Sequence, residues 1–175
     1  MSDPGQLPPP RRTALSDLQR LTGPFKVNGH EIGDGDRVSI ATMAEGQTGF
    51  LDGNVYSATV GIVPSRLMPY SGTRWQVRLN PGGTWSFLNQ GHEEQMLAGS
   101  GRIATLGRPP VTSDAARFDT THWLIYRDLT GFRLRPCMRT GGWLGLVDGR
   151  VVLCGPEDPV GRWIYWAISP FGVDE

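Results

Sequence analysis

Apolar and polar residues alternate along Arg74-Trp75-Gln76-Val77-Arg78-Leu79 and again along Thr84-Trp85-Ser86-Phe87. A period of two sends successive side chains to opposite faces, which describes strands with one face buried. The intervening Asn80-Pro81-Gly82-Gly83 is a tight-turn sequence, so the two strands are expected to form a hairpin. Short apolar runs punctuated by Gly, Pro, Asn and Asp continue to the C-terminus, and 24 glycines with 14 prolines supply many turns. A helical pattern is seen only near the N-terminus. Leu15, Leu18 and Leu21 recur every three residues within Thr13–Leu21, Thr13 or Ser16 offers a cap, and Gly23-Pro24 stops the run. Residues Met1–Arg12 hold four prolines and little to bury, and read as disordered. The expected organisation is a disordered tail and short helix over residues 1–24, followed by one all-β domain over residues 25–175.

The apolar pattern repeats. Val38-Ser39-Ile40, Trp85-Ser86-Phe87 and Phe132-Arg133-Leu134 read apolar, polar, apolar at intervals of 47 residues. Second strands follow at Gly49-Phe50-Leu51, Gln95-Met96-Leu97 and Gly142-Trp143-Leu144. Third strands follow at Val60–Val63, Ile103–Leu106 and Val151–Cys154. Fourth strands are expected at Thr73–Val77, Thr121–Ile125 and Gly161–Tyr165, carrying Trp75, Trp123 and Trp163. Four strand classes recurring in step indicate three copies of one unit. Three copies are too few for the usual propeller, whereas twelve strands can close into a barrel with hairpins over one end and few open edges.

Composition narrows the functional classes. With 17 basic and 17 acidic residues the formal net charge is zero. That argues against a basic nucleic-acid-binding face and against a polybasic membrane anchor. Positive charge is almost all arginine, since Lys26 is the one lysine. The N-terminal stretch lacks the apolar core of a secretory signal, and no apolar run reaches the length of a spanning helix. The expectation is a soluble, cytoplasmic protein with Cys137 and Cys154 reduced. Neither cysteine has metal-ligand spacing, and no cofactor fingerprint occurs.

The repeat resembles a β-trefoil over about Asp34 to Ser169, closest in style to ricin-B-type lectin modules and fascin-like domains. In the ricin-B-type modules a Gln-x-Trp motif marks the fourth strand of each copy. The corresponding Thr73-Arg74-Trp75, Thr121-His122-Trp123 and Gly161-Arg162-Trp163 keep the tryptophan and not the glutamine, as a core role for the ring requires. The sugar-binding aspartate of those lectins follows the leucine of the second strand. The first copy has it as Leu51-Asp52-Gly53-Asn54, while the others read Leu97-Ala98 and Leu144-Gly145. The resemblance therefore implies a carbohydrate or glycoconjugate partner, with Asp52 accepting hydrogen bonds from sugar hydroxyls and Asn54 adding a donor and an acceptor. Tyr56 or Tyr70 would offer a ring face. The same Asp-Gly-Asn run is also a common turn sequence.

The first functional expectation is thus a non-catalytic, lectin-like binding module. A second is a protein partner, including protease inhibition through the loop from Gly107 to Phe118, where prolines stiffen the chain and Arg108 or Arg117 could enter an acidic pocket. A third is a small enzyme on the same scaffold. His30, His92 and His122 are its acid–base candidates and Cys137 its nucleophile candidate.

Overall fold

A computed structural model describes residues 18–53, 60–64, 71–90, 95–100, 103–107, 121–137, 142–154 and 161–171. The described chain is all-β apart from two single 3-10 turns at Ser71–Thr73 and Arg162–Ile164. Among these residues no helix is long and apolar enough to cross a membrane.

Three short strands come first: β1 (Gln19–Leu21), β2 (Phe25–Val27) and β3 (His30–Ile32). Twelve more follow in three sets of four. The first set is β4 (Arg37–Thr42), β5 (Phe50–Gly53), β6 (Val60–Val63) and β7 (Trp75–Leu79). The second is β8 (Trp85–Asn89), β9 (Met96–Ser100), β10 (Ile103–Gly107) and β11 (Trp123–Arg127). The third is β12 (Phe132–Pro136), β13 (Trp143–Val147), β14 (Arg150–Cys154) and β15 (Trp166–Pro170).

Six of the twelve close on themselves. β4 pairs with β7, β7 with β8, β8 with β11, β11 with β12, β12 with β15, and β15 returns to β4. The ring is an antiparallel six-stranded barrel, and closure removes the exposed edges of an open sheet. The other six strands form the hairpins β5–β6, β9–β10 and β13–β14. Within each set the first residue of the opening strand, or its neighbour, lies opposite a tryptophan of the fourth strand. The pairs are Val38↔Trp75, Trp85↔Trp123 and Phe132↔Trp166. The 47-residue interval of Val38, Trp85 and Phe132 is therefore an interval between equivalent barrel positions.

Alternation sets the core. Val38, Ile40, Val77, Trp85, Phe87, Ile125, Leu134 and Ile168 point inward and are fully or almost fully buried. Each such side chain contributes about 1.5–3 kcal/mol of hydrophobic stabilisation. The hairpin β2–β3 turns through Asn28 and Gly29, both at positive φ, as a two-residue hairpin of this twist requires. It carries Phe25 onto Trp85 and Phe132, with ring centroids 5.5 and 5.4 Å apart.

Two expectations are corrected. Gln19–Leu21, the end of the anticipated helix, is strand β1, paired with β11 through Leu21↔Ile125; residues 13–17 lie outside the described set. A nine-residue helix is marginal on its own, whereas β8 pairs with β11 only at Trp123 and leaves Ile125–Arg127 to pair with β1; the strand buries Leu21 while exposing Arg20. The fourth strand of the third set is also displaced. Trp163 sits in the 3-10 turn, and the strand begins at Trp166. Trp166 is fully buried, whereas Trp163 is half-buried and packs from outside.

Candidate functional site

Asp52 follows Leu51 on β5. Leu51 is fully buried, and alternation turns Asp52 the other way, where it remains half-buried. Both Asp52 and Gly53 are strand residues, paired with Gly61 and Val60 of β6, so this part of the Asp-Gly-Asn run is not a free turn. Two hydrogen bonds fix the surroundings. Trp75 donates its indole N–H to the carbonyl of Leu51 at 3.1 Å. Asn89, itself buried, donates from Nδ2 to the carbonyl of Gly72 at 2.9 Å and so pins the 3-10 turn that faces Asp52.

Gly72 is what leaves room for the carboxylate. A Cβ at that position would collide with Asp52 Oδ1 and lie 2.7 Å from the carbonyl oxygen of Gly53. The third set inverts the arrangement. Gly145 occupies the place of Asp52, and Trp163 occupies the place of Gly72, three residues before the barrel tryptophan. A Cβ at Gly145 would lie 3.0 Å from Cys154 Sγ and 3.1 Å from the Trp163 carbonyl oxygen. In the second set Ala98 fills the position and is buried. One space between hairpin and turn thus holds a carboxylate in the first set and an indole in the third. A side chain at Gly145 would crowd the Cys154 thiol, the Trp163 carbonyl and the indole Cε3 together, at 3.0, 3.1 and 3.2 Å from its Cβ.

Asn54, Tyr56 and Tyr70 lie outside the described residues, as do Arg108, Arg117 and His92. His30 lies on β3 at a cleft of about 460 Å³, whose lining includes Glu31, Asp36, Arg37, Gln76 and Phe171. Asp36 Oδ2 already accepts a hydrogen bond from the backbone N–H of Gly33 at 2.7 Å. His122 is elsewhere, its Nδ1 3.4 Å from Thr84 Oγ1. Cys137 extends the β11–β12 pairing, its backbone N–H donating to the His122 carbonyl at 2.7 Å. Cys154 is buried in the hairpin, and the two cysteines are not joined in a disulfide. Among the described residues no group of three or more His, Cys, Asp or Glu side chains is gathered as for a metal ion.

A further polar group escaped the sequence reading. On the outward face of β12, Arg133 and Arg135 meet Trp143 of β13, with guanidinium carbons 5.4 and 5.1 Å from its ring centroid. Arg133 donates to Tyr165 Oη at 2.6 Å, and Tyr165 in turn makes a short hydrogen bond to Asp128. Burial, followed by the bond to Asp128, raises the Tyr165 phenol above its ordinary value, so it stays protonated. Arg135 donates to Tyr126 Oη at 3.1 Å. The signal lay in the register of the repeats: Arg133 stands where the other sets bury Ser39 and Ser86.

No family model and no curated protein sequence matches this chain. Solved structures do. An arabinofuranosidase complexed with arabinofuranosyl-α-1,2-xylobiose superposes with a TM-score of 0.64 at 12% identity over 79% of this chain and 32% of its own. A GH54 α-L-arabinofuranosidase soaked with a cyclic sulfate inhibitor gives 0.62 at 14% identity, covering 79% and 32%. A Polyporus squamosus lectin bound to the human-type influenza-binding epitope Neu5Acα2-6Galβ1-4GlcNAc gives 0.58 at 15%, covering 79% and 50%. This chain thus spans about a third of the length of the arabinofuranosidases and half that of the lectin, and at these identities what it shares with them is an all-β fold.

Proposed function

We propose that this domain is a β-trefoil that binds carbohydrate without catalysis, through the first of its three sets. The observation that carries the reading is the reciprocal exchange between Asp52 with Gly72 and Gly145 with Trp163. A half-buried carboxylate held on a paired strand, beneath a turn stripped of its side chain, is a pre-ordered acceptor for two adjacent sugar hydroxyls. A packing role alone would be served by Ala98 or by the indole, as the other two sets demonstrate. The solved structures of similar fold include a glycan-bound lectin and carbohydrate-acting enzymes, in agreement with a saccharide ligand. Asn54, Tyr56 and Tyr70 complete the proposed site.

The test is a screen of the wild type beside Asp52→Ala on an array of neutral glycans, with circular dichroism to confirm that both fold. Binding by the wild type and its loss in the variant is the expected result. A wild type that binds no glycan, or a variant that binds equally well, overturns the reading.

A further inference from the structure

On the outward face of the third set, Arg133 and Arg135 form no ion pair with a carboxylate among the described residues. Arg133 is only 3% exposed, and its Nε has no hydrogen-bond partner. The Nε of Arg135 is likewise buried and unpartnered, and Arg135 as a whole is half-buried. Asp128 is the carboxylate associated with the pair, and it is already occupied. Its Oδ1 accepts the backbone N–H groups of Thr130 and Gly131 at 2.8 and 3.3 Å, and its Oδ2 accepts from Tyr165. Among the described residues, Arg133 is linked to that charge through the neutral phenol of Tyr165, and Arg135 donates to the neutral hydroxyl of Tyr126.

An ionised group held out of water without a counter-charge is costly, and the usual remedy is a partner. A serine, as in the other sets, would remove the cost at Arg133. The aromatic rings compensate in part and also fix orientation. Trp143 packs edge-on against Tyr126 with centroids 5.4 Å apart, and both guanidinium groups lie against it. Such contacts hold the planar forks in place while leaving N–H groups unused. Two like charges two residues apart on one strand lie on one face, so their fields add. A field from buried charge is screened little by salt.

We infer that Arg135, backed by Arg133 and flanked by the Tyr126 hydroxyl, is a binding site for the carboxylate of an acidic saccharide, separate from Asp52. The inference rests on the carbohydrate reading above and adds a ligand class to it. Arg135, half-buried where Arg133 is buried, is the more accessible of the two. Arg133 lies behind it as a fixed charge, and the phenol offers a donor or an acceptor to a ring hydroxyl.

The experiment uses the whole chain on an array of uronate- and sialate-containing glycans, each paired with its methyl ester, which removes the charge and keeps the ring. Wild type, Arg135→Gln, Arg135→Lys and Asp52→Ala are compared, with near-UV circular dichroism of the tryptophans as the folding control. The expected result is at least one acid bound tenfold or more tightly than its ester by wild type. Arg135→Gln abolishes that preference, Arg135→Lys restores part of it, and Asp52→Ala retains it. Equal binding of acids and esters, or an undiminished preference in Arg135→Gln, overturns the inference while leaving the neutral-sugar reading standing. Inorganic phosphate that binds as tightly as any acidic glycan identifies a simple anion site and overturns the saccharide assignment. A wild type that binds no glycan overturns both readings.

Discussion

Trp166 donates its indole N–H to the carbonyl of Leu144 at 2.8 Å, and the same bond recurs in the other two sets. Trp123 donates to Leu97 at 2.8 Å and Trp75 to Leu51 at 3.1 Å. Each bond ties a barrel strand to the hairpin of its own set at the leucine that opens the hairpin's core face. The relation also makes Trp166 the counterpart of Trp75 and Trp123. Replacing Trp166 by Phe leaves the Leu144 carbonyl unpartnered and opens a cavity, at a cost of about 2–4 kcal/mol. Trp163→Phe changes a half-buried ring outside the barrel and should cost about 1 kcal/mol. Urea unfolding of both variants checks the order; a larger loss at Trp163 would contradict it.

Gly72 and Asp52 share one space, and the double-mutant cycle should register it. Gly72→Ala places a methyl against Asp52 Oδ1 and the Gly53 carbonyl and is expected to destabilise by about 1–3 kcal/mol. In an Asp52→Gly background the carboxylate clash disappears and only the Gly53 contact remains, so part of the loss returns. The expected coupling is about 0.5–2 kcal/mol. Strictly additive losses would show that the two residues are not in contact.

Much of this fold is written in local spacing, and the departures have physical causes. The opening strands and hairpins are legible because period two, turn residues and a 47-residue interval all agree at Val38, Trp85 and Phe132. Trp163 misled because the turn that places Trp166 carries a tryptophan of its own, and only a hydrogen-bond partner distinguishes the two. β1 was illegible because Leu15, Leu18 and Leu21 satisfy a helical spacing, while the edge of β11 that claims Leu21 is more than a hundred residues away. At the site, Asp52 could be singled out by comparing copies, but Gly72 acquires meaning only when a Cβ is placed against the carboxylate. Arg133 could have been noticed by the same comparison, as an arginine in a serine's place. Its tyrosine and aspartate partners could not, since Tyr165 lies 32 residues away, between the second 3-10 turn and β15.

Trp85 provides a test of the N-terminal strand. Its indole N–H donates to the Leu21 carbonyl at 2.8 Å, and its ring is fully buried against the β2–β3 hairpin. Deleting residues 1–24 removes that acceptor and the Leu21 side chain together. A loss of about 2–4 kcal/mol is expected, measured by thermal or urea unfolding. An unchanged midpoint would show that β1 adds nothing to the barrel.

The Tyr165 hydroxyl connects Arg133 to Asp128, and its protonation makes that link sensitive to alkaline pH. Burial first, and then the hydrogen bond to Asp128, raise its folded-state pKa above the unfolded value of about 10. Below about pH 10 both folded and unfolded phenols carry the proton. The stabilisation is then fully present, and it is lost as pH climbs through the raised folded value. Tyr165→Phe removes the relay and leaves Arg133 with one hydrogen bond fewer, costing about 1–3 kcal/mol at neutral pH. The gap between wild type and variant should be flat from pH 6 to 9 and shrink at higher pH, a range taken from the ordinary phenol value of about 10. Subtracting the variant cancels every contribution that the two proteins share. Urea unfolding at stepped pH gives both curves, and a gap that widens above pH 10 would mean that the folded protein favours the phenolate instead.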